Sequence, residues 1–173
     1  SRAECMSCHA REVGFTLGIS HCQLAGKELD RWTKLGLFGN KTSEPPEGAK
    51  QLVDPHDDDQ PLELRVRSYL HTYCSCCHVR AGGGNARMLL EFDKETKDTR
   101  LIGELPQHDT FGITNAQLIA PGEPERSVML QRISRRGTGQ MPPLVSSRVD
   151  ARAVALLEEW ILSLEQPQRN FVK

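Results

Sequence analysis

Residues 65–78 read RVRSYLHTYCSCCH. Leu62, Val66, Tyr69, Leu70 and Tyr73 recur at helical spacing. Asp59 followed by Pro61 offers a capping side chain and a proline suited to a first turn. The pattern therefore predicts a helix of about three turns that delivers the chain into Cys74-Ser75-Cys76-Cys77-His78. Only Cys77 directly precedes the histidine, so the register is C-x-x-C-H, with Cys74 and Cys77 as the pair and Cys76 left over. Two thiols three positions apart on one turn can reach both vinyl groups of a single porphyrin, and the adjoining imidazole is then placed to bind its iron. This is the c-type haem attachment signature.

The signature occurs again at Cys5-Met6-Ser7-Cys8-His9. The sequence thus predicts two covalently attached haem c groups, on Cys5 and Cys8 and on Cys74 and Cys77, with His9 and His78 as proximal iron ligands. Zinc is the competing reading of two C-x-x-C pairs. Paired zinc knuckles usually stand about 15 to 20 residues apart, whereas Cys8 and Cys74 are far more widely separated. Zinc also leaves both following histidines without a role.

The chain of 173 residues is long enough for one ordinary domain or two small ones. With 38% hydrophobic and only 5% aromatic residues, its side chains supply a modest core, which two large apolar porphyrins would enlarge. A net charge of −1 gives no general argument for nucleic acid or an anionic membrane as partner. The acidic run at Asp57, Asp58 and Asp59 and the basic cluster at Arg132, Arg135 and Arg136 read as a solvated loop and a solvated helix end. No stretch approaches the about 18 apolar residues of a membrane span, so none is expected. Haem c is attached outside the cytoplasm, which implies a periplasmic or otherwise exported protein. The first cysteine lies so early that a piece of a longer exported precursor is expected.

Residues 10–24, with alternating Val13, Phe15, Leu17 and Ile19, suit a short extended or irregular segment lying against a haem face. A helix is predicted over 27–37, with Leu29, Trp32 and Leu35 on one side and Gly36 and Gly39 as its stop. Residues 40–60, rich in proline and aspartate, read as a linker. Gly82-Gly83-Gly84 offers backbone freedom for a tight turn. Residues 88–92 are apolar, helix or strand undecided, and 93–114 read as a polar surface excursion. Helices are predicted over 124–135 and from Asp150 to about 165, the latter with Val154, Leu157, Ile161 and Leu164 as its stripe and Trp160 beside it, and with Pro167 past its end. This last helix is expected to cross the one that begins at Pro61.

Met141 sits in Gly139-Gln140-Met141-Pro142-Pro143-Leu144, a proline-stiffened loop between two predicted helices. Helix, C-x-x-C-H, methionine loop, helix is the order of a class I cytochrome c, and residues 59–166 resemble that fold. The resemblance makes Met141 the distal ligand of the second haem, where a thioether raises the potential relative to two imidazoles. The expected fold class is all-α, with a first haem unit plus linker over 1–58 and a class I cytochrome c-like domain over 59–173. No methionine follows His9 before the linker. His56 is the first candidate for the first haem's sixth ligand, with His21, His71 and His108 behind it and an open site as the alternative.

A broader resemblance covers nearly the whole chain. Residues 1–9 with Gly14 and Gly18, Arg67-Ser68-Tyr69-Leu70, residues 121–127 (PGEPERS), Met141-Pro142-Pro143-Leu144 and Glu159-Trp160-Ile161 are similar to bacterial dihaem c-type cytochromes that form the C-terminal part of larger exported proteins. The resemblance implies electron transfer between a redox donor, such as a dehydrogenase on the same precursor, and a respiratory acceptor. That makes the chain an electron carrier rather than an enzyme. The alternative is a dihaem peroxidase-type enzyme with an open first haem, and a ligand sensor is a third option. Cys22 and Cys76 depart from the family pattern. In an oxidising compartment two spare thiols tend to be bridged, so a Cys22–Cys76 disulfide stands against two buried free thiols.

Overall fold

The structure is a computed structural model that describes residues 1–24, 26–38 and 50–165. It is all-α. Among the described residues five helices follow in order: α1 (Arg2–Cys8), α2 (Gly26–Lys34), α3 (Leu62–Cys74), α4 (Val128–Ile133) and α5 (Ala151–Ser163). Among the described residues, β-structure amounts to two isolated parallel bridges, Ile102 with Ile119 and Gln117 with Ser127. No described helix is long and apolar enough to cross a membrane.

The core forms where α3, α4 and α5 meet. Val66 and Leu70 of α3 are buried, facing a stripe on α5 made by Ala153, Leu156, Leu157, Trp160 and Ile161. Their spacing of three and four positions places these residues on a single face. It is rotated from the expected one: Val154 and Leu164 lie at its edge, and Trp160 sits inside the core. Asp150 caps α5 as anticipated, its carboxylate accepting the Ala153 amide at 3.1 Å. Asp59 does not cap α3; Pro61 occupies the N-cap position. The aspartates before it close turns of their own, with the Asp59 amide donating to Asp57 Oδ1 and the His56 amide to Asp54 Oδ1.

Helix α3 buries a second, polar face. Ser68 Oγ accepts the Val53 amide at 3.0 Å, Arg65 Nε donates to the Pro55 carbonyl at 2.9 Å, and Arg65 pairs with Asp58. Residues 50–60 are thus strapped to the helix, whereas the remainder of the predicted linker lies outside the described residues, as do Gly39 and Pro167. Arg67, also buried, donates to the carbonyls of Glu91 at 2.6 Å and Lys94 at 3.2 Å, and burial lowers its pKa. One long side chain thereby fastens the 91–94 segment across the helix.

Three other segments differ from expectation, each because tertiary partners outweigh local pattern. Residues 88–92 are neither helix nor strand, yet Met88, Leu90 and Phe92 are buried alternately, as an extended segment would place them. The surface excursion expected over 93–114 contains Thr99 and Leu101, both fully buried. The helix expected over 124–135 is split into a 3-10 turn (Pro124–Arg126) and α4. At the break Ser127 is extended, and its hydroxyl accepts the buried Ala120 amide while donating to the Glu123 carbonyl. These bonds hold the backbone out of helical geometry.

Nor are the arginines at the end of α4 and just past it a solvated cluster. Arg132 donates to the carbonyls of Gly139 and Asp109 at 3.1 Å each. Arg136 binds the carbonyls of Ile133 and Arg148. The guanidinium carbon of Arg135 lies 3.8 Å from the centre of the Phe111 ring, a cation–π contact. Together they pin the loop that carries Met141.

In the N-terminal part, α2 buries Leu29, half-buries Trp32 against Phe38 and exposes Leu35. Residues 10–24 are irregular, with a 3-10 turn at Arg11–Val13 and Phe15, Leu17 and Ile19 exposed.

Candidate functional site

Cys5 and Cys8 stand three residues apart on α1, and His9 is its C-cap, with its amide donating to the Cys5 carbonyl at 2.9 Å. The imidazole Nδ1 lies 2.7 Å from the Phe15 carbonyl oxygen. A carbonyl only accepts, so Nδ1 carries the proton and Nε2 presents its lone pair. A carbonyl that fixes the tautomer in this way is the usual second partner of a metal-binding histidine.

In the second motif α3 ends at Cys74, and the amides of Cys77 and His78 both donate to the Cys74 carbonyl, at 3.1 and 2.9 Å. This winding holds Cys74, Cys77 and His78 within one compact turn. His78 is buried, its carbonyl accepts the Leu90 amide at 2.9 Å, and its Nδ1 is buried without a hydrogen-bond partner. Burial lowers its pKa to about 4, so the ring is neutral at pH 7, the form able to bind a metal. Burial raises the Cys74 thiol to about 12, and raises Cys76 and Cys77 as well.

The two motifs meet. Cys8 Sγ lies 3.4 Å from Cys77 Sγ, and the Cys77 thiol donates to the Ser7 carbonyl at 3.1 Å. Cys76 Sγ, 4.0 Å from Cys77 Sγ, completes a group of three sulfurs. The glycine run makes the approach possible, though not through positive φ. A Cβ on Gly83 would stand 2.1 Å from the Ser7 carbonyl oxygen, one on Gly84 2.8 Å from His78 Nδ1, and one on Gly82 2.6 Å from the Cys77 carbonyl oxygen. Their function is the absence of a side chain, not left-handed backbone. Gly83→Ala is therefore expected to push the motifs apart and to destabilise the chain by about 1–3 kcal/mol, read from urea unfolding midpoints. An unchanged midpoint would contradict this packing.

The remaining predicted residues lie on separate segments of the chain. Met141 is half-buried on the loop pinned by Arg132, its amide donating to the Arg132 carbonyl at 3.0 Å, and Gln140 ties the same loop to the carbonyls of Pro142 and Ser146. His56 is half-buried on the segment strapped to α3, and His108 is exposed. The side chain of His21 lies outside the described residues. Cys22 and Cys76 are both free thiols. Cys22 Sγ instead lies 3.3 Å from His71 Nε2 and 2.9 Å from Ser20 Oγ.

His71 is a junction that the sequence did not single out beyond a remote ligand option. Its Nδ1 accepts the Phe92 amide at 3.2 Å, so in the neutral ring Nε2 bears the proton and faces Cys22. Burial lowers its pKa. The signal available beforehand was its place on the helix leading into the motif, four residues before Ser75, whose hydroxyl donates to the His71 carbonyl.

Comparison of the chain with protein-family models, with curated proteins and with solved structures finds no match.

Proposed function

We propose that this chain is a dihaem c-type cytochrome that carries electrons between an exported donor, such as a dehydrogenase, and a respiratory acceptor. The observation that carries the proposal is the pair of C-x-x-C-H motifs, each ending in a histidine prepared for metal binding. At His9 the Phe15 carbonyl leaves Nε2 as the lone-pair nitrogen. At His78 burial keeps the ring neutral. The donor set therefore fits two axial imidazoles, with Cys5 and Cys8 and with Cys74 and Cys77 as thioether attachment points.

The haem groups would supply one-electron redox chemistry. The chain's own residues set the terms of that chemistry. The carbonyl at His9 Nδ1 fixes the orientation of that ring, while His78 Nδ1 lacks such a partner. Met141, held on its pinned loop, is the proposed distal ligand in the second unit, residues 59–173. His56 is the proposed one for the first unit, residues 1–58. The proposed setting is periplasmic, as covalent attachment of haem c requires.

Produced in a host that attaches haem c during export, the chain is expected to gain the mass of two haems that survive denaturation. A Cys5→Ala/Cys8→Ala double variant is expected to retain one haem. A chain that emerges without covalent haem would overturn the reading. Two low-spin spectra indifferent to carbon monoxide and peroxide would support a carrier; a five-coordinate iron that reacts with peroxide would move the assignment to a peroxidase-type enzyme.

A further inference from the structure

Cys76 has no part in haem attachment, yet it stands in the one thiol cluster found among the described residues. The Sγ atoms of Cys8, Cys76 and Cys77 all lie within 4.8 Å of one another, with 3.4 Å between Cys8 and Cys77 and 4.0 Å between Cys76 and Cys77. Three thiolates in a plane around one ion, each about 2.3 Å from it, stand about 4 Å apart. The Cys76–Cys77 spacing of 4.0 Å matches that value, and the Cys8–Cys77 spacing of 3.4 Å is somewhat shorter. Little movement is therefore needed to close the three sulfurs on a common centre.

We propose that the haem-free chain binds one copper(I) ion on Cys8, Cys76 and Cys77. The choice of ion follows from the donors. An all-sulfur set selects a soft ion over magnesium, calcium or manganese, which take oxygen. Structural zinc sites are almost always four-coordinate and tetrahedral, and the cluster offers three sulfurs with neither carboxylate nor imidazole among them. A monovalent d10 ion is satisfied by three.

The frame is set before the ion arrives. Cys76 and Cys77 lie on the turn closed by the Cys74 carbonyl, and Cys8 is delivered by α1, whose Ser7 backbone rests on Gly83. All three cysteines are half-buried, so an entering ion reaches the site from solvent while its thiolates remain partly shielded. Binding is an exchange without oxidation: three S–H bonds are broken, three Cu–S bonds form, and three protons leave to solvent while copper stays monovalent.

One consequence rests on the proposed haem attachment: Cys8 and Cys77 would also be attachment cysteines. Copper and haem then compete for the same sulfurs, and a copper-loaded chain would be a poor substrate for attachment. The metal site itself does not depend on that reading.

The test uses the full-length chain produced without haem attachment, reduced and kept free of oxygen. It is titrated with copper(I) against bicinchoninate, a chromophoric copper(I) chelator. The wild-type chain is expected to withdraw one copper(I) per chain from the chelator, and Cys76→Ser to lose that ability. Cys8→Ser, which alters the other motif, is expected to lose it too. Cys22→Ser, outside the cluster, is expected to keep it. Circular dichroism of each variant identifies one that has failed to fold, and Cys8→Ser and Cys76→Ser then serve as alternates for each other. Retention of copper by both folded variants, which would assign it to another cysteine pair, overturns the proposal, as does a wild-type chain that cannot compete with the chelator. Haem attachment is read separately, as covalent mass in the exported protein, so failure of either reading is visible without the other.

Discussion

Replacing Trp160 with alanine is expected to destabilise the chain by about 3–5 kcal/mol, the range for removing a large buried aromatic side chain. Trp160 is 2% exposed and sits in the core that α3, α4 and α5 share. The loss has two parts: the apolar surface no longer withdrawn from water, and the cavity left where neighbours cannot collapse. Collapse is restricted here because the α5 end is tied down, with the Ile161 carbonyl accepting the Gly122 amide at 2.8 Å. Set against a usual total of about 5–15 kcal/mol, such a loss is a large share of the stability. Urea denaturation followed by far-ultraviolet circular dichroism measures it. A loss below about 1 kcal/mol would mean that Trp160 is not the packing centre described.

Acidification of the haem-free chain is expected to produce the second large effect. The folded-state pKa of His78 is about 4, against 6.5 for the unperturbed side chain, because burial disfavours the charged ring. The unfolded chain therefore binds the proton first. Stability is at its full value above about pH 6.5 and declines as pH falls toward 4, by about 3 kcal/mol if His78 acts alone. His71, also lowered by burial, adds in the same direction. Unfolding midpoints in urea between pH 7.5 and 4.5 should follow this slope, and His78→Gln should flatten it to the part His71 supplies. A midpoint constant across that range would show that His78 is not buried as described.

Both expectations concern residues whose role is only partly legible in the sequence. Helical spacing was legible at α3 and α5, as was the Asp150 cap, since each depends on neighbours within a turn or two. The two helices, expected to cross, are in contact. The interruption at Ser127 was not legible, because the groups that hold it extended, Ala120 and Gln117, belong to a separate segment. The buried Thr99 and Leu101 were missed for a related reason: a stretch polar on average conceals two positions that point inward.

At the candidate site the division is similar. The sequence by itself determined the two C-x-x-C-H motifs, the surplus Cys22 and Cys76, and the glycines beside the second motif, because these are matters of residue type and short spacing. Only the tertiary structure decided that Cys8 meets Cys77 across the two motifs, that Gly83 is required by the Ser7 backbone, and that Cys22 faces His71. It also decided which nitrogen of His9 is free and that His78 is buried. The physical reason is that a motif fixes distances along a few bonds of one chain, whereas hydrogen-bond partners, burial and contacts between distant thiols depend on how remote segments pack.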